Sequence, residues 1–227
     1  MQISMFGLGY VGCVGAACLA KLGHHVIGND ISENKVNLLN QGKPTIIEAE
    51  IDELCREVHE KGLLEATMDC HYAVHNSEIS FIAVGTPSSK EGHLNLDYIY
   101  NVAHQIGEAM ADKDEFHIIA IRSTVLPGTN KKVGEIIEKV SGKKRREDFV
   151  VVSNPEFLRE GTAVHDYMNP PFTLIGTDSE IAEARFRELY KDIPGEFIST
   201  DINVAEIMKY VNNTYHGLKI VFANEVG

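Results

Sequence analysis

The run GLGYVG, which begins at Gly7, has the glycine spacing of a turn that binds phosphate groups. It follows an apolar segment, residues 3–6, that is predicted to be a strand, and it leads into a helix predicted over residues 14–22. Gly7 would permit the tight turn, Gly9 would let backbone N–H groups approach a diphosphate, and Gly12 would let the helix lie close to a sheet. The amino end of this helix would add unpaired N–H donors and the positive end of its dipole.

An acidic residue stands where a dinucleotide-binding unit requires one. A second strand, predicted over His25–Asn29, follows the helix and ends at Asp30. A carboxylate at this position accepts hydrogen bonds from ribose hydroxyls, and it would repel the 2′-phosphate of NADP. The order of strand, glycine turn, helix, strand and acid therefore predicts an NAD site. The alternative is a tight turn with an incidental acid.

Two further residues are candidates for contacts with the same cofactor. Lys35 falls in the first turn of a helix predicted from Ser32 to about Gln41, so it is either close to Asp30 and the ribose or an ordinary surface lysine. Thr86 follows a predicted buried strand, residues 79–84, and the loop after such a strand lines the ligand crevice of a doubly wound sheet. Its alternative role is that of a hydroxyl capping a turn.

Polar residues near the end of the chain have the spacing of a second site. Glu156 and Glu160 follow a strand predicted over residues 149–152, and one helical turn would put both on one face, where each would raise the pKa of the other. Lys209 and Asn213 share a face of a helix predicted from residue 203 onwards, and two such donors could both point at an oxygen atom. The alternatives are a charged surface turn and a solvated stripe.

Strands and helices alternate along the chain without a repeat. The remaining predicted helices cover residues 47–61, 95–110, 127–140 and 180–191, and the remaining strands cover residues 63–69, 116–121, 172–176 and 196–199. This alternation predicts an α/β fold with a doubly wound, mostly parallel sheet. We expect a Rossmann-like NAD-binding domain over residues 1–200, followed by the beginning of a long central helix over residues 201–227.

Composition argues against several classes of partner. The 227 residues include 33 Asp and Glu against 21 Lys and Arg, and the net charge of −12 argues against nucleic acid as a partner. Residues 1–20 carry no charge, but they lack a basic start and are rich in glycine, so we expect neither a signal peptide nor a membrane span. Four cysteines without CxxC spacing fit a reduced, cytoplasmic setting.

Two histidines have a spacing that occurs in metal sites. His71 and His75 are four residues apart, which would place them on one face of a helix. No further pair of ligands is near them in the sequence. We therefore expect ordinary surface histidines and no metal.

The motifs, taken in order, resemble those of the UDP-glucose/GDP-mannose dehydrogenase family. They are GLGYVG from Gly7, VGTPS from Val84, RSTVLPGT from Arg122, NPEFLREG from Asn154, KYVNNTYH from Lys209 and FANEVG at the end. RSTVLPGT and the segment DYMNPPFTLIG, residues 166–176, look most like the GDP-mannose branch of the family, and the UDP-glucose branch is the alternative.

The resemblance implies an oxidation of the C6 hydroxyl of a nucleotide sugar to a carboxylate by two NAD-dependent hydride transfers. In that family a cysteine holds the intermediate as a thiohemiacetal and then as a thioester, which water cleaves. The resemblance also implies a homodimer formed through the central helix.

Roles for individual residues follow from the same resemblance. The residues implied to contact NAD are Tyr10, Val11, Asp30, Lys35, Thr86 and Thr124. Thr124 would also help to position a water molecule, Glu156 would assist hydrolysis of the thioester, and Glu160 would contact substrate or cofactor. Lys209 and Asn213 would stabilise negative charge on the C6 oxygen. His216 and Asn224 would contact the sugar nucleotide.

The sequence departs from the family in one respect. The catalytic cysteine of the family lies in an FGGSC-like motif beyond the central helix, and neither that motif nor the domain that binds the base of the sugar nucleotide occurs here. We therefore expect an N-terminal portion of such an enzyme, inactive alone. The alternative is a separate NAD-binding module without turnover, with its last helix as an interface.

Overall fold

A computed structural model describes residues 1–88, 90 and 92–227. In this part of the chain, eight strands form one sheet in the order β3-β2-β1-β4-β5-β6-β7-β8. The strands are β1 (Gln2–Phe6), β2 (His25–Asn29), β3 (Leu64–Thr67), β4 (Ile79–Ile82), β5 (His117–Ile121), β6 (Phe149–Ser153), β7 (Phe172–Gly176) and β8 (Glu196–Thr200). Neighbouring strands are parallel except β6 and β7, which pair antiparallel between Ser153 and Gly176.

Helices cover both faces of the sheet. They are α1 (Tyr10–Lys21), α2 (Glu33–Leu39), α3 (Ile51–Glu60), α4 (Cys70–His75), α5 (Asp97–Met110), α6 (Thr129–Ser141), α7 (Ala163–Met168), α8 (Glu180–Leu189) and α9 (Ile202–Val226). One cluster of buried side chains joins the sheet to α1, α2, α3, α7 and α8, and a second joins its other face to α4, α5 and α6. The central strands β4, β5 and β6 are buried throughout, as parallel strands covered on both faces require. The prediction of a doubly wound, mostly parallel sheet is confirmed.

Three predicted helix starts are wrong, and the backbone conformation of one residue explains two of them. Helix α1 begins at Tyr10, inside the glycine run, rather than at residue 14. Helix α3 begins at Ile51 rather than residue 47, because Glu50 adopts a left-handed conformation with φ of 64° and ends the preceding turn. Helix α6 begins after Gly128, whose φ is 97°, so Pro127 precedes the helix instead of starting it.

The long helix α9 is attached to the sheet only by its first two turns. The Asp201 side chain accepts a hydrogen bond from the Asn203 N–H and caps the helix. Ala205 packs against Gly176, where a Cβ atom would lie 2.6 Å from the Cβ of Ala205. From Tyr210 to the end every residue is exposed. None of the helices described is both long enough and apolar enough to cross a membrane.

Candidate functional site

The glycine turn lies between β1 and α1 at the carboxyl edge of the sheet. Gly7 has φ of 92°, and a Cβ atom there would lie 2.8 Å from the carbonyl oxygen of Ala83. A Cβ on Gly12 would lie 1.8 Å from the carbonyl oxygen of Gly7, so the helix and the turn are packed as closely as backbone allows. A Cβ on Gly9 would meet nothing within 4 Å. Gly9 therefore leaves open space in front of the first N–H groups of α1, which have no acceptor within the helix.

Asp30 is ionised and held in place at the end of β2. Its carboxylate accepts hydrogen bonds from the Leu8 N–H at 2.7 Å and the Ser32 N–H at 2.9 Å, and the Lys35 ammonium lies 3.0 Å away. Burial raises the pKa of Asp30, but these three donors outweigh it and the pKa lies below its usual value. Lys35 is therefore close to Asp30, which was one of its two predicted locations. A carboxylate offers about four acceptor positions, so one remains for a ligand hydroxyl while all three donors stay in place.

A cleft of about 640 Å³ opens beside these residues. It lies between the loops that follow β1, β2 and β4 and one face of α5. Gly7, Gly9, Asp30 and Lys35 line it, as the sequence predicts for one cofactor site. The other predicted cofactor residues are not part of this lining; they are Tyr10, Val11, Gly12, Thr86 and Thr124. Thr86 and Thr124 follow β4 and β5 at the same edge of the sheet.

One wall of the cleft was not predicted from the sequence. Tyr98, Asn101, Val102 and Gln105 lie along one face of α5 and line the cleft opposite the glycine turn. Their spacing in the sequence is that of a single helical face, and this spacing is the only sequence feature that could have indicated the wall. The sequence predicts only a helix that connects two strands here, because these residue types indicate no particular chemistry.

The cleft has the features that NAD requires. It combines open space at the amino end of a helix with an ionised acid at the end of the second strand. Its walls are mainly apolar, formed by Phe6, Ile31 and Val84 among others, and they suit the flat faces of an adenine or nicotinamide ring.

A second group of predicted residues meets where α9 crosses the sheet. The Lys209 ammonium lies 3.0 Å from the Glu156 carboxylate, and their side chains are only 7% and 9% exposed. Glu156 also accepts a hydrogen bond from the Leu158 N–H at 2.6 Å, and the Lys209 ammonium lies 5.5 Å from the centre of the Phe157 ring. This arrangement removes both charges from solvent and fixes the carboxylate.

The predicted pairing of Glu156 with Glu160 is wrong. Residues 154–159 are irregular rather than helical, so Glu156 is buried against Lys209 while Glu160 is exposed. Pro155 disfavours a helical conformation for Asn154, so no helix begins directly at the end of β6. Asn213 lies one turn beyond Lys209 on α9 and is exposed, as are His216 and Asn224.

Glu48 is a buried acid that sequence reasoning missed. Its carboxylate accepts hydrogen bonds from the Tyr10 hydroxyl, from the Gly161 N–H at 2.8 Å and from the Ala163 N–H at 3.4 Å. The hydrogen bond from Tyr10 lowers the pKa of Glu48, and burial together with Glu48 raises the pKa of Tyr10. Glu48 therefore joins the start of α1 to the loop that carries Glu156. No local signal identified it, since Tyr10 is 38 positions away in sequence and Gly161 and Ala163 are more than a hundred positions away.

The loop after β5 is fixed from two sides. The Ser123 hydroxyl donates to the Val84 carbonyl oxygen at 2.6 Å, which ties this loop to the one after β4. Glu206 of α9 accepts from the Gly128 N–H at 2.8 Å and the Asn130 N–H at 2.7 Å, so α9 caps α6. Thr124 lies between these two attachments, and its position is set by both.

The fold, the glycine turn, the acid at the end of β2 and the cleft together define a dinucleotide-binding domain. The chain belongs to the UDP-glucose/GDP-mannose dehydrogenase family, because the sequence model of the NAD binding domain of that family matches residues 1–194. Residues 1–194 are accordingly an NAD-binding domain.

Named relatives cover the chain from end to end. GDP-mannose 6-dehydrogenase from Pseudomonas aeruginosa is 48% identical over 100% of this chain and 52% of its own length. UDP-glucose 6-dehydrogenase from Bacillus subtilis is 40% identical over 99% of this chain and 48% of its own length. The chain thus spans about half the length of these relatives.

Solved structures agree with the sequence relatives. A ternary complex of GDP-mannose dehydrogenase from Pseudomonas aeruginosa superposes with a TM-score of 0.98 at 47% identity, over 100% of this chain and 52% of that one. A UDP-glucose dehydrogenase from Pyrobaculum islandicum superposes with a TM-score of 0.94 at 36% identity, over 99% of this chain and 51% of that one.

Proposed function

We propose that the chain is the cofactor-binding half of an NAD-dependent nucleotide-sugar 6-dehydrogenase of the cytoplasm. The complete enzyme would carry out the four-electron oxidation of a C6 hydroxyl to a uronate, with GDP-mannose to GDP-mannuronate as the favoured reaction. The observation that carries the proposal is that the buried Lys209–Glu156 pair and the cofactor cleft lie at the same edge of the sheet. Glu156 follows β6, and the cleft lies beyond the carboxyl ends of β1, β2 and β4, which run parallel to β6.

The residues at the cleft would hold the cofactor. When bound, NAD supplies the hydride acceptor for both oxidation steps. The turn at Gly7, Gly9 and Gly12 and the amino end of α1 would contact the diphosphate, and Asp30 with Lys35 would contact the ribose. The remaining contacts would come from Tyr10, Val11, Thr86 and Thr124.

Lys209 and Glu156 would act on the substrate. Lys209 and Asn213 would stabilise negative charge as it develops on the C6 oxygen, which is where fixed donors accelerate an oxidation of this kind. Glu156 would take a proton from a water molecule in the hydrolytic step, with Thr124 helping to position that water. Glu160, His216 and Asn224 would contact the sugar nucleotide.

The thiol that the reaction needs would come from outside these 227 residues. Cys13, Cys18 and Cys55 are fully buried, and Cys70, at the start of α4, does not line the cleft. Burial raises the pKa of the Cys18 and Cys70 thiols to about 12, so neither is a nucleophile at neutral pH. The domain that binds the base of the sugar nucleotide would likewise lie outside these 227 residues.

The division into domains and the dimer belong to the same proposal. Residues 1–200 would be the cofactor domain, and residues 201–227 would begin the central helix through which two copies pair. Tyr215, Leu218 and Phe222 form an exposed apolar stripe along α9, each at least 60% exposed. Sedimentation velocity on the complete enzyme should give a dimer, and Leu218→Lys should weaken it.

The substrate is the finer part of the proposal. GDP-mannose is favoured because the relatives that act on it by name are more similar to this chain, at 48% identity against 40% for a UDP-glucose relative. The test is an assay of the complete enzyme with GDP-mannose and UDP-glucose side by side, following NADH. We expect two NADH per GDP-mannose consumed. Turnover of UDP-glucose alone would support the second branch, and turnover of neither would overturn the proposal.

A further inference from the structure

Three side chains converge at the edge of the sheet opposite the cofactor cleft. Helix α4 places His71 and His75 one turn apart, with their rings stacked at a centroid distance of 3.9 Å. Asp112 follows the end of α5, and its carboxylate lies 3.2 Å from His71 Nε2 and 3.0 Å from His75 Nε2. One nitrogen from each histidine and one carboxylate oxygen all lie within 4.8 Å of one another.

The chemistry and dimensions of this cluster suit a tetrahedral transition-metal ion. Zinc binds imidazole nitrogen and carboxylate oxygen at distances of about 2.0–2.2 Å, so ligand atoms at the corners of a tetrahedron are about 3.3 Å apart. The two histidine–aspartate separations are close to that value. The His71 and Asp112 side chains are more than half exposed, which leaves solvent access for entry of the ion and for a water molecule as fourth ligand.

We propose that His71, His75 and Asp112 form a zinc site with two imidazole nitrogens, one carboxylate oxygen and water as ligands. On binding, the ion takes the place of the Nε2 proton of each histidine; each neutral ring then carries its one proton on Nδ1, and any excess proton passes to solvent. The Ala109 carbonyl oxygen, 2.9 Å from His75 Nε2, supplies another oxygen at the same place.

The position of the site defines what the ion would do. Helix α4 precedes β4 and Asp112 precedes β5, so the site lies at the amino ends of these strands, away from the cofactor cleft. A bound ion therefore clamps α4 to the turn after α5 and takes no part in the oxidation. It should raise the melting temperature and leave the affinity for NAD unchanged.

The test is a titration of the metal-free chain, without a histidine tag, with ZnCl₂ by calorimetry and with CoCl₂ by visible absorption. We expect one ion per chain and the absorption of tetrahedral Co²⁺, reversed by EDTA. His71→Gln, His75→Gln and Asp112→Asn should each weaken binding by more than about tenfold, which is the lower range seen when even an outer-shell partner is removed.

A matched control is available on α5. His104 lies 3.5 Å from Glu108, one turn away, and this pair has the same kind of ligands without a second histidine. His104→Gln should leave the zinc affinity unchanged. The proposal is overturned if the unsubstituted chain binds no stoichiometric ion, or if His104→Gln weakens binding as much as the three substitutions in the cluster. Circular dichroism of each variant shows whether it is folded, and the result for the unsubstituted chain stands without it.

Discussion

At the scale of single residues, Asp30 performs two tasks with one carboxylate. It holds the glycine turn through the Leu8 N–H, and it lies in the cleft where a ribose would bind. The acid therefore fixes the shape of the turn, and we propose that it also sets the preference for NAD over NADP. The glycine motif and Asp30 are each recognisable from a short stretch of sequence, and together they were enough to predict where the cleft lies.

Replacement of Asp30 should weaken binding of the cofactor. Asp30→Ala removes an ionised acceptor, and we expect the affinity for NAD to fall by about 1.5–3 kcal/mol, the range for hydrogen bonds to a charged group. Calorimetric titration of NAD measures this loss. Glu33→Gln is the control, because Glu33 is an exposed acid in the first turn of α2, and its affinity should match that of the original chain. Equal affinities for Asp30→Ala and the control would contradict the role of Asp30.

Glu48 is a positioning residue for the loop that carries Glu156. Glu48→Gln places an amide N–H₂ group where only acceptors fit, since the Tyr10 hydroxyl and the Gly161 and Ala163 N–H groups all donate to Glu48. We expect the free energy of unfolding to fall by about 1.5–3 kcal/mol in urea melts. In the complete enzyme kcat should fall more than the affinity for NAD.

An exposed pair of the same type provides the comparison for Glu48. The Tyr72 hydroxyl donates to Glu65 at the surface at 2.9 Å. Glu65→Gln should change the free energy of unfolding by less than about 1 kcal/mol. If Glu48→Gln and Glu65→Gln lowered the free energy of unfolding equally, the positioning role of Glu48 would be contradicted.

At the scale of elements, α9 is held to the sheet by buried charges. Lys209 pairs with Glu156 and Glu206 caps α6, while the rest of the helix is exposed. Both contacts connect α9 to loops at the carboxyl edge of the sheet. The helix therefore aligns these loops as well as carrying Lys209 and Asn213.

Removal of one partner of the buried pair should be costly. Lys209→Ala leaves Glu156 buried without a counter-charge, and breaking such a pair costs about 3–5 kcal/mol of unfolding free energy. The double variant Lys209→Met with Glu156→Gln should recover part of this loss, because neither charge is then buried alone. Urea denaturation of the three proteins gives the comparison, and an effect below about 1 kcal/mol for Lys209→Ala would show that the pair is not formed.

The loop between β6 and α7 is stabilised by Asp166, an acid in α7. Asp166 accepts hydrogen bonds from the Arg159 guanidinium and from the Thr162 hydroxyl. The Arg159 hydrogen bond lowers the pKa of Asp166 to about 2. This pKa is below the value of about 3.9 for an unfolded chain, so the stabilisation is complete above about pH 4 and is lost as the pH falls towards 2.

Melting curves at several pH values test this dependence. Asp166→Asn should lower the melting temperature at pH 7, and the difference from the original chain should shrink as the pH falls from 4 to 2. Asp178, which pairs with Arg146 at the surface, provides the control. Asp178→Asn should have a smaller effect at pH 7. A difference for Asp166→Asn that is constant down to pH 2 would contradict the assignment.

At the scale of the whole molecule, short sequence patterns were enough to predict the sheet. Contacts between residues far apart in the sequence were not predicted. The strands were predictable because runs such as Ile79–Ile82 are apolar, short and bounded by turns. Asp30 was predictable because it follows its strand directly. Glu48 was not, because its partner Gly161 is 113 positions away, and Asp112 was not, because it is 41 positions from His71.

The predicted helix boundaries were wrong for a different reason. The start of α3 depends on the left-handed conformation of Glu50, and the start of α6 depends on that of Gly128. Periodicity of apolar residues predicts that a helix exists, but the conformation of one residue sets where it begins. The loop over residues 154–159 illustrates the same limit, since two glutamates at helical spacing lie in a segment that is not helical.

The central claim is that the glycine turn and Asp30 bind NAD at the carboxyl edge of the sheet. A calorimetric titration of the chain with NAD and, separately, with NADP tests it most directly. We predict one NAD bound per chain and at least about tenfold weaker binding of NADP, whose 2′-phosphate would lie beside the ionised Asp30. Equal or tighter binding of NADP, or no binding of NAD by a chain that circular dichroism shows to be folded, would contradict it.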